Sequence, residues 1–300
     1  MHSSARTGRP RRADTAVSLR FDRAGTLYFA APLLGVLAGR RDGRIPILMY
    51  HSVADEDESA LQPYYWIATA PAQFMQQMRW LHEHGYRTAS LASAVGLLQA
   101  GGGTVEKTVV ITFDDGYRNF CQQAFPALER FGFTATMFLP TASIGDRSHV
   151  FNRRECMTWG EVRELQQRGI SFGSHTVNHP QLHGLEPDRI REEILRSRQT
   201  IEDKTGGAVN SFAYPYAFPQ TDRPFKTMLR AILEESGYRY GVCTQIGRAG
   251  AVSDPLFLER LPVNTADDPA LLQAKLAGAY DWVGGLQSLT KRIRKPRTSA

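Results

Sequence analysis

From Arg44 onward the chain alternates short apolar runs with amphipathic stretches of helical period, and this alternation constrains the fold more than any other feature. Strands that alternate with helices wind into a mostly parallel sheet with the helices outside it. Strand candidates are residues 45–50, 108–113, 135–139, 171–173, 211–214, 240–243 and 258–263, each short and bounded by turn residues. Seven runs of this kind fit a barrel better than a sandwich. The periodicity predicts helices over 71–84, with Phe74, Met78 and Leu81 on one face, and over 91–98, 119–131, 159–167, 187–204 and 223–236. Several end in a glycine just before the next strand, at Gly85, Gly132, Gly169 and Gly237. Glycine there supplies the left-handed residue that turns the chain back. The expectation is an α/β barrel in one domain over residues 44–290.

Residues 1–25 lack the pattern and are rich in Arg, Ser, Thr and Ala, so a disordered basic tail is expected there. An N-terminal extension over 26–43 and a basic C-terminal tail over 291–300 complete the organisation. The formal charge of +6 is concentrated at the two ends, in Arg9, Arg11 and Arg12 and in Lys291, Arg292, Arg294, Lys295 and Arg297. Terminal basic runs are more often solvated tails than attractants for an anionic surface, and with no nucleic-acid motif present no nucleic-acid partner is expected. The apolar stretch 27–38 covers about a dozen residues, short of the roughly 20 that cross a bilayer. A basic stretch precedes it, but it ends in Gly39-Arg40-Arg41 without a small-x-small site, which argues against a cleaved signal. Packing against the barrel is its plainest reading; peripheral membrane contact is the other. A cytoplasmic location is favoured, with the cell envelope as the alternative, and the oligomeric state is left open. Cys121, Cys156 and Cys243 are widely spaced and outside any CxxC arrangement, which points neither to a disulfide framework nor to a cysteine zinc site.

Two segments carry chemistry. Thr112-Phe113-Asp114-Asp115-Gly116-Tyr117 places two carboxylates at the end of an apolar run, where the loops of a barrel build its active site. Adjacent residues of an extended segment point in different directions, so the two carboxylates suit two separate jobs, one holding a metal and the other taking a proton. Taken alone, Asp-Asp-Gly is more often a turn in which Asp caps a helix. Ser174-His175-Thr176-Val177-Asn178-His179-Pro180 again follows a short strand and sets two imidazoles four residues apart, a spacing that on a helical turn puts both on one face. Two neutral imidazoles and a carboxylate suit a catalytic divalent ion with positions left open for water and substrate.

Together the two segments resemble the polysaccharide deacetylases with a NodB homology domain, the carbohydrate esterases of family four. Thr112-Phe113-Asp114-Asp115-Gly116 is similar to the first motif of that family and His175-Thr176-Val177-Asn178-His179-Pro180 to its second. The resemblance implies a distorted (β/α)7 barrel, Asp115, His175 and His179 as metal ligands, and Asp114 as the base that deprotonates the attacking water. Zinc is the default metal, with Ni, Co or Fe as alternatives. Phe212-Ala213-Tyr214-Pro215-Tyr216-Ala217 resembles the third motif in the poly-N-acetylglucosamine deacetylase branch, implying a substrate and oxyanion role for Tyr214, Pro215 and Tyr216. Here Ala217 departs from the usual glycine, and the arginine with which other branches orient the base is absent.

The chain has no histidine after His183, where many relatives carry their general acid. His51, at the end of the first apolar run in Met49-Tyr50-His51-Ser52-Val53, is the substitute, resembling a permuted site in which the acid comes from the first strand. Arg260 is expected to orient Asp114 in place of the missing arginine, and Trp159 to line the acetyl pocket or a sugar face. The expected activity is hydrolysis of N-acetyl groups on the hexosamines of a glycan. O-deacetylation and sugar binding on an inactive esterase fold are the rivals.

Overall fold

All seven expected strands form and close on one another in the computed structural model, which describes residues 20–36, 43–100 and 105–293. In chain order the strands of the main sheet are β1 (Ile47–Tyr50), β2 (Arg87–Thr88), β3 (Thr108–Phe113), β4 (Thr136–Leu139), β5 (Ser171–Ser174), β6 (Ser211–Ala213), β7 (Tyr240–Ile246) and β8 (Leu258–Pro262). Every pairing among them is parallel, in the order β1-β8-β7-β6-β5-β4-β3, and Ile47 to Tyr50 of β1 pair back onto Val110 to Phe113 of β3 to close the ring. The two-residue β2, which no sequence signal marks, pairs only with the start of β3. The barrel is distorted at two seams. β5 and β6 share the single pair Ser174 and Phe212, and the register of β7 against β8 slips between Val242 and Ile246.

The period of two along each strand sorts the core into two clusters. Ile47, Val110, Phe138, Ala213, Val242 and Leu258 form the inner one, together with Leu91, Ala94, Val95 and Leu98 of the helix Leu91–Gln99. Leu48, Tyr50, Val109, Ile111, Phe113 and Met137 face the other way, into the larger layer between sheet and helices. Gly173 is required inside the ring: a Cβ there would lie 2.6 Å from the Phe138 ring and from Ser211 Oγ.

All six expected helices form, the longest being Pro187–Thr205, which ends on Gly206 at φ +69°. Three helical regions escaped the sequence reading. The tail expected over 1–25 is too long, because a helix begins at Phe21, where Arg20 donates to Ala266 O and Asp267 and Asp22 accepts from Tyr280 Oη. At the other end, Pro269–Leu276 is capped by the Asp268 side chain and Asp281–Ile293 runs past the expected domain limit at 290. Residues 1–19 and 294–300 of the two expected tails, residues 37–42 of the expected extension and residues 101–104 lie outside the described residues. Among the described residues no helix is long and apolar enough to cross a membrane, and the three cysteines are free thiols.

Candidate active site

The strand period carries Thr112 and then Asp114 toward the barrel interior at the end of β3. The chain then leaves the sheet through two left-handed residues, Asp115 at φ +74° and Gly116 at φ +66°. The loops after β5 and β6 use the same device at Thr176 (φ +69°), His179 (φ +54°) and Tyr216 (φ +57°). Left-handed conformation costs any residue with a Cβ, so four of the seven non-glycine residues that adopt it among those described are gathered at one mouth of the barrel. Such clustering of strain belongs to functional sites.

The histidine loop differs from the helical turn that its spacing suggests. Thr176 Oγ1 accepts from His179 N at 3.0 Å, and the Glu193 carboxylate accepts from Val177 N, Asn178 N and Asn178 Nδ2 at 3.0, 2.8 and 2.7 Å. Glu193 is a buried residue on the inner face of Pro187–Thr205, paired with Arg189. The sequence reading missed it. A glutamate set in the stripe of Ile190, Ile194 and Ile201 was the available signal, because a charge is buried only with partners.

These loops bring Asp115, His175 and His179 together, all buried. Asp115 Oδ1 lies 3.7 Å from His175 Nε2 and 3.4 Å from His179 Nε2, and the two imidazole nitrogens are 3.2 Å apart. Tetrahedral zinc with bonds of about 2.0–2.1 Å separates its donor atoms by about 3.3 Å, so the triangle has the right size for one cation. The imidazoles are also in the right state. His175 Nδ1 lies 2.8 Å from Ala213 O, which fixes its proton there and leaves the Nε2 lone pair facing inward. Burial pushes His175 down to about 4 and His179 to about 3, so both imidazoles are neutral at pH 7. Burial, reinforced by neighbouring Asp114, pushes Asp115 up to about 7, and its Oδ1 is buried without a hydrogen-bond donor. Three converging ligand atoms, one of them an orphaned carboxylate oxygen, are what a cation completes.

Beside the triangle stands Asp114, gripped by Arg260 through two parallel bonds of 2.7 Å. Arg260 is fully buried, and its other donors reach Cys243 O at 3.1 Å and Thr112 Oγ1 at 3.2 Å. Burial alone would raise the Asp114 carboxyl; the guanidinium overrides it and holds the group well below the usual carboxylate range. On the far side, at the end of β1, His51 Nε2 lies 3.9 Å from Asp114 Oδ2 with its edge open to solvent. Burial pushes this imidazole down to about 4, against the pull of Asp114.

The aromatic expectations divide. Tyr216 is half exposed, and its ring stands edge-on to His179 at 4.6 Å. Tyr214, Pro215 and Trp159 are buried instead. Tyr214 packs on Phe218, and Trp159 sits in the core at the start of its helix, behind a Thr158–Glu161 capping box. A second aromatic wall was missed: Phe151, on the hairpin Val150–Phe151 with Arg154–Glu155, meets the His179 ring at 5.3 Å. Arg154 ties that hairpin to Glu56 and Glu58 in the segment after His51, where Tyr64 and Tyr65 are exposed.

Fold and site define a barrel hydrolase with an aspartate–bis-histidine donor set at the mouth of its strands. The family model for polysaccharide deacetylase matches residues 101–241. The Bacillus subtilis protein YxkH, assigned as a polysaccharide deacetylase, is 32% identical over 224 residues, which are 75% of this chain and 73% of that one. The Escherichia coli poly-β-1,6-N-acetyl-D-glucosamine N-deacetylase is 33% identical over 141 residues, 44% of this chain and 20% of the larger relative. Among solved structures, the Streptococcus pyogenes deacetylase PplD in complex with acetate superposes with a TM-score of 0.68 at 27% identity, over 78% of this chain and 98% of PplD. The chain belongs to the polysaccharide deacetylase family and is a carbohydrate deacetylase.

Proposed function

We propose that the chain removes N-acetyl groups from hexosamine residues of a surface polysaccharide or exopolysaccharide, or of its precursor, using a divalent cation held by Asp115, His175 and His179. The observation that carries the reading is the size and protonation of that triangle beside an arginine-held carboxylate. The poly-N-acetylglucosamine deacetylase among the relatives supports the choice of sugar. Zinc suits this nitrogen and oxygen donor set, and Ni, Co or Fe would be accepted by the same atoms. A cation bound there supplies Lewis acidity, polarising the acetyl carbonyl and acidifying water.

The protein groups do the rest. Asp114, kept ionised by Arg260, takes a proton from the attacking water as its oxygen bonds to the acetyl carbon. The developing oxyanion is met by the backbone N–H near Tyr216. His51, neutral in the resting site and 3.9 Å from Asp114 Oδ2, relays the proton that Asp114 has taken to the departing amine nitrogen as the C–N bond breaks, releasing acetate and the free amino sugar. Tyr216, Phe151, Tyr64 and Tyr65 offer ring faces and edges to the sugars on either side.

The test is acetate release from poly-N-acetylglucosamine fragments and acetylated chitooligosaccharides, with and without a chelator, for the wild type and Asp114→Asn. Release that needs both the metal and Asp114 supports the assignment. Release from acetyl esters alone would move it to O-deacetylation, and a metal-loaded protein inactive on amides and esters would overturn it.

A further inference from the structure

The segment 20–36 is helical, with a widened turn over Thr26–Ala30, and its two sides differ sharply. One side is fastened to the barrel. Arg20 pairs with Asp267 and Arg23 with Asp268, Tyr280 Oη donates to Asp22 at 2.7 Å, and Trp282 Nε1 donates to Thr26 Oγ1 at 3.1 Å. A Cβ on Gly25 would lie 2.7 Å from the Trp282 ring, so the segment is seated as closely as a glycine allows. The other side presents Phe21, Tyr28, Phe29 and Leu33, between 62% and 78% exposed. In the neighbouring helix Asp281–Ile293, Trp282, Leu286 and Leu289 recur at helical spacing and are also exposed.

Nothing in the barrel requires these side chains to face water, and a firmly anchored helix that offers two phenylalanines, a tyrosine and a leucine is built to bury them elsewhere. The sequence around it supplies a second, independent observation. Residues 1–19, 37–42 and 290–300 carry eleven arginines and lysines against two aspartates. That net excess of nine is larger than the +6 of the whole chain, so the remainder is acidic on balance and the cations are concentrated in the stretches that adjoin the two helices in sequence. An apolar face alone would suit a second copy of the chain, and cations alone would suit an acidic polymer. The two together match an anionic bilayer, which takes apolar side chains below its headgroups and cations at its phosphates. Among the described residues no helix is long and apolar enough to span.

We propose that this face is a peripheral docking surface for an anionic membrane. Phe21, Tyr28, Phe29 and Leu33 enter the boundary between headgroups and acyl chains, and the flanking arginines and lysines meet the lipid phosphates. The test is co-sedimentation of the full chain with vesicles of phosphatidylcholine containing phosphatidylglycerol, and with vesicles of phosphatidylcholine alone. The wild type and the double variant Phe29→Ser, Leu33→Ser are compared at low and high salt. Expected are binding to the anionic vesicles that weakens with salt, and a partition coefficient lowered at least about tenfold in the variant, while its melting temperature and its acetate release from soluble oligosaccharides stay unchanged. If that variant does not fold, Phe21→Ser with Tyr28→Ser carries the same comparison. Absence of vesicle binding by the wild type overturns the proposal. So does binding that the apolar substitutions leave intact, which would assign it to the basic segments alone. A lipid-free dimer that dissociates in the variant would make the face a self-interface and overturn it as well.

Discussion

Arg260→Met removes the guanidinium that grips Asp114 and leaves a carboxylate, 2% exposed, without its cation. Two bonds of 2.7 Å are lost at once, and breaking a buried pair from one side costs about 3–5 kcal/mol. At the lower end, about 3 kcal/mol corresponds to a rise of about two units in the Asp114 pKa. In the wild type the carboxyl is held below its ordinary 3.8, so it stabilises the fold above that value and the contribution is lost as pH falls through the depressed one. In the variant the carboxyl rises toward its ordinary value and most of that contribution at neutral pH is lost. The expected melting temperature is lower by about 6–12 °C, at about 2–4 °C per kcal/mol for a domain of this size. If Asp114 is the base, the acid limb of kcat/KM for acetate release also moves up by about two pH units, and Arg260→Lys, which keeps the charge and loses the fork, moves it by less. The assay is kcat/KM against pH on one soluble acetylated oligosaccharide, with metal content matched between variants. An unchanged melting temperature for Arg260→Met would refute the reasoning, because a buried carboxylate stripped of its cation cannot keep the stability that the pair gave it.

Three further outcomes are expected. Cation binding to the metal-free protein should weaken by about tenfold for each pH unit below about 7, because Asp115, raised to about 7, must lose its proton while His175 and His179, at about 4 and 3, are already neutral; calorimetry at pH 6 in buffers of different ionisation enthalpy should count close to one proton released, and pH-independent affinity between 5 and 7 would show that Asp115 carries no proton there. Glu193→Gln leaves the acceptors for Val177 N and Asn178 N short by one charge, so cation affinity should fall by about 10–100-fold with the circular dichroism of the barrel retained; unchanged affinity would mean that the loop holds its shape unaided. Gly173→Ala drives a methyl into Phe138 and Ser211 and should cost about 1–3 kcal/mol in urea melts, with Phe138→Leu in the same chain recovering part of it; additive losses would show that the two do not share that space.

What the sequence made legible was local. Each strand is an apolar run closed by turn residues, and each helix an amphipathic period ended by glycine, so the ring of seven strands and its six main helices could be written from short windows. Asp115 and the two histidines, which the structure brings together, were named through the resemblance of their two motifs, each of which begins or lies at the end of a strand. What windows cannot hold is pairing across the fold. Arg260 meets Asp114 across 146 residues and suggested itself only through the absence of another arginine. Glu193 and Arg154 act on loops that their own helix and hairpin do not announce, and β2 exists only because Thr108 and Val109 offer it an edge.

The burial of Tyr214 is more instructive, since the strand period already implied it. Ala213 is inside the ring with Ile47, Val110 and Val242, so Tyr214, one residue on, must turn outward into the layer of Phe212 and Phe218, where it is found. The same parity carries Asp114 and His51 inward, one step past Phe113 and Tyr50. Parity fails only where the strand ends, and it fails at residues with positive φ: Asp115, Thr176, His179 and Tyr216 return to the barrel mouth because the backbone bends left-handed under them. The motifs therefore mark the places where the chain departs from the regular strand, and the donor atoms of the site gather where that departure directs them.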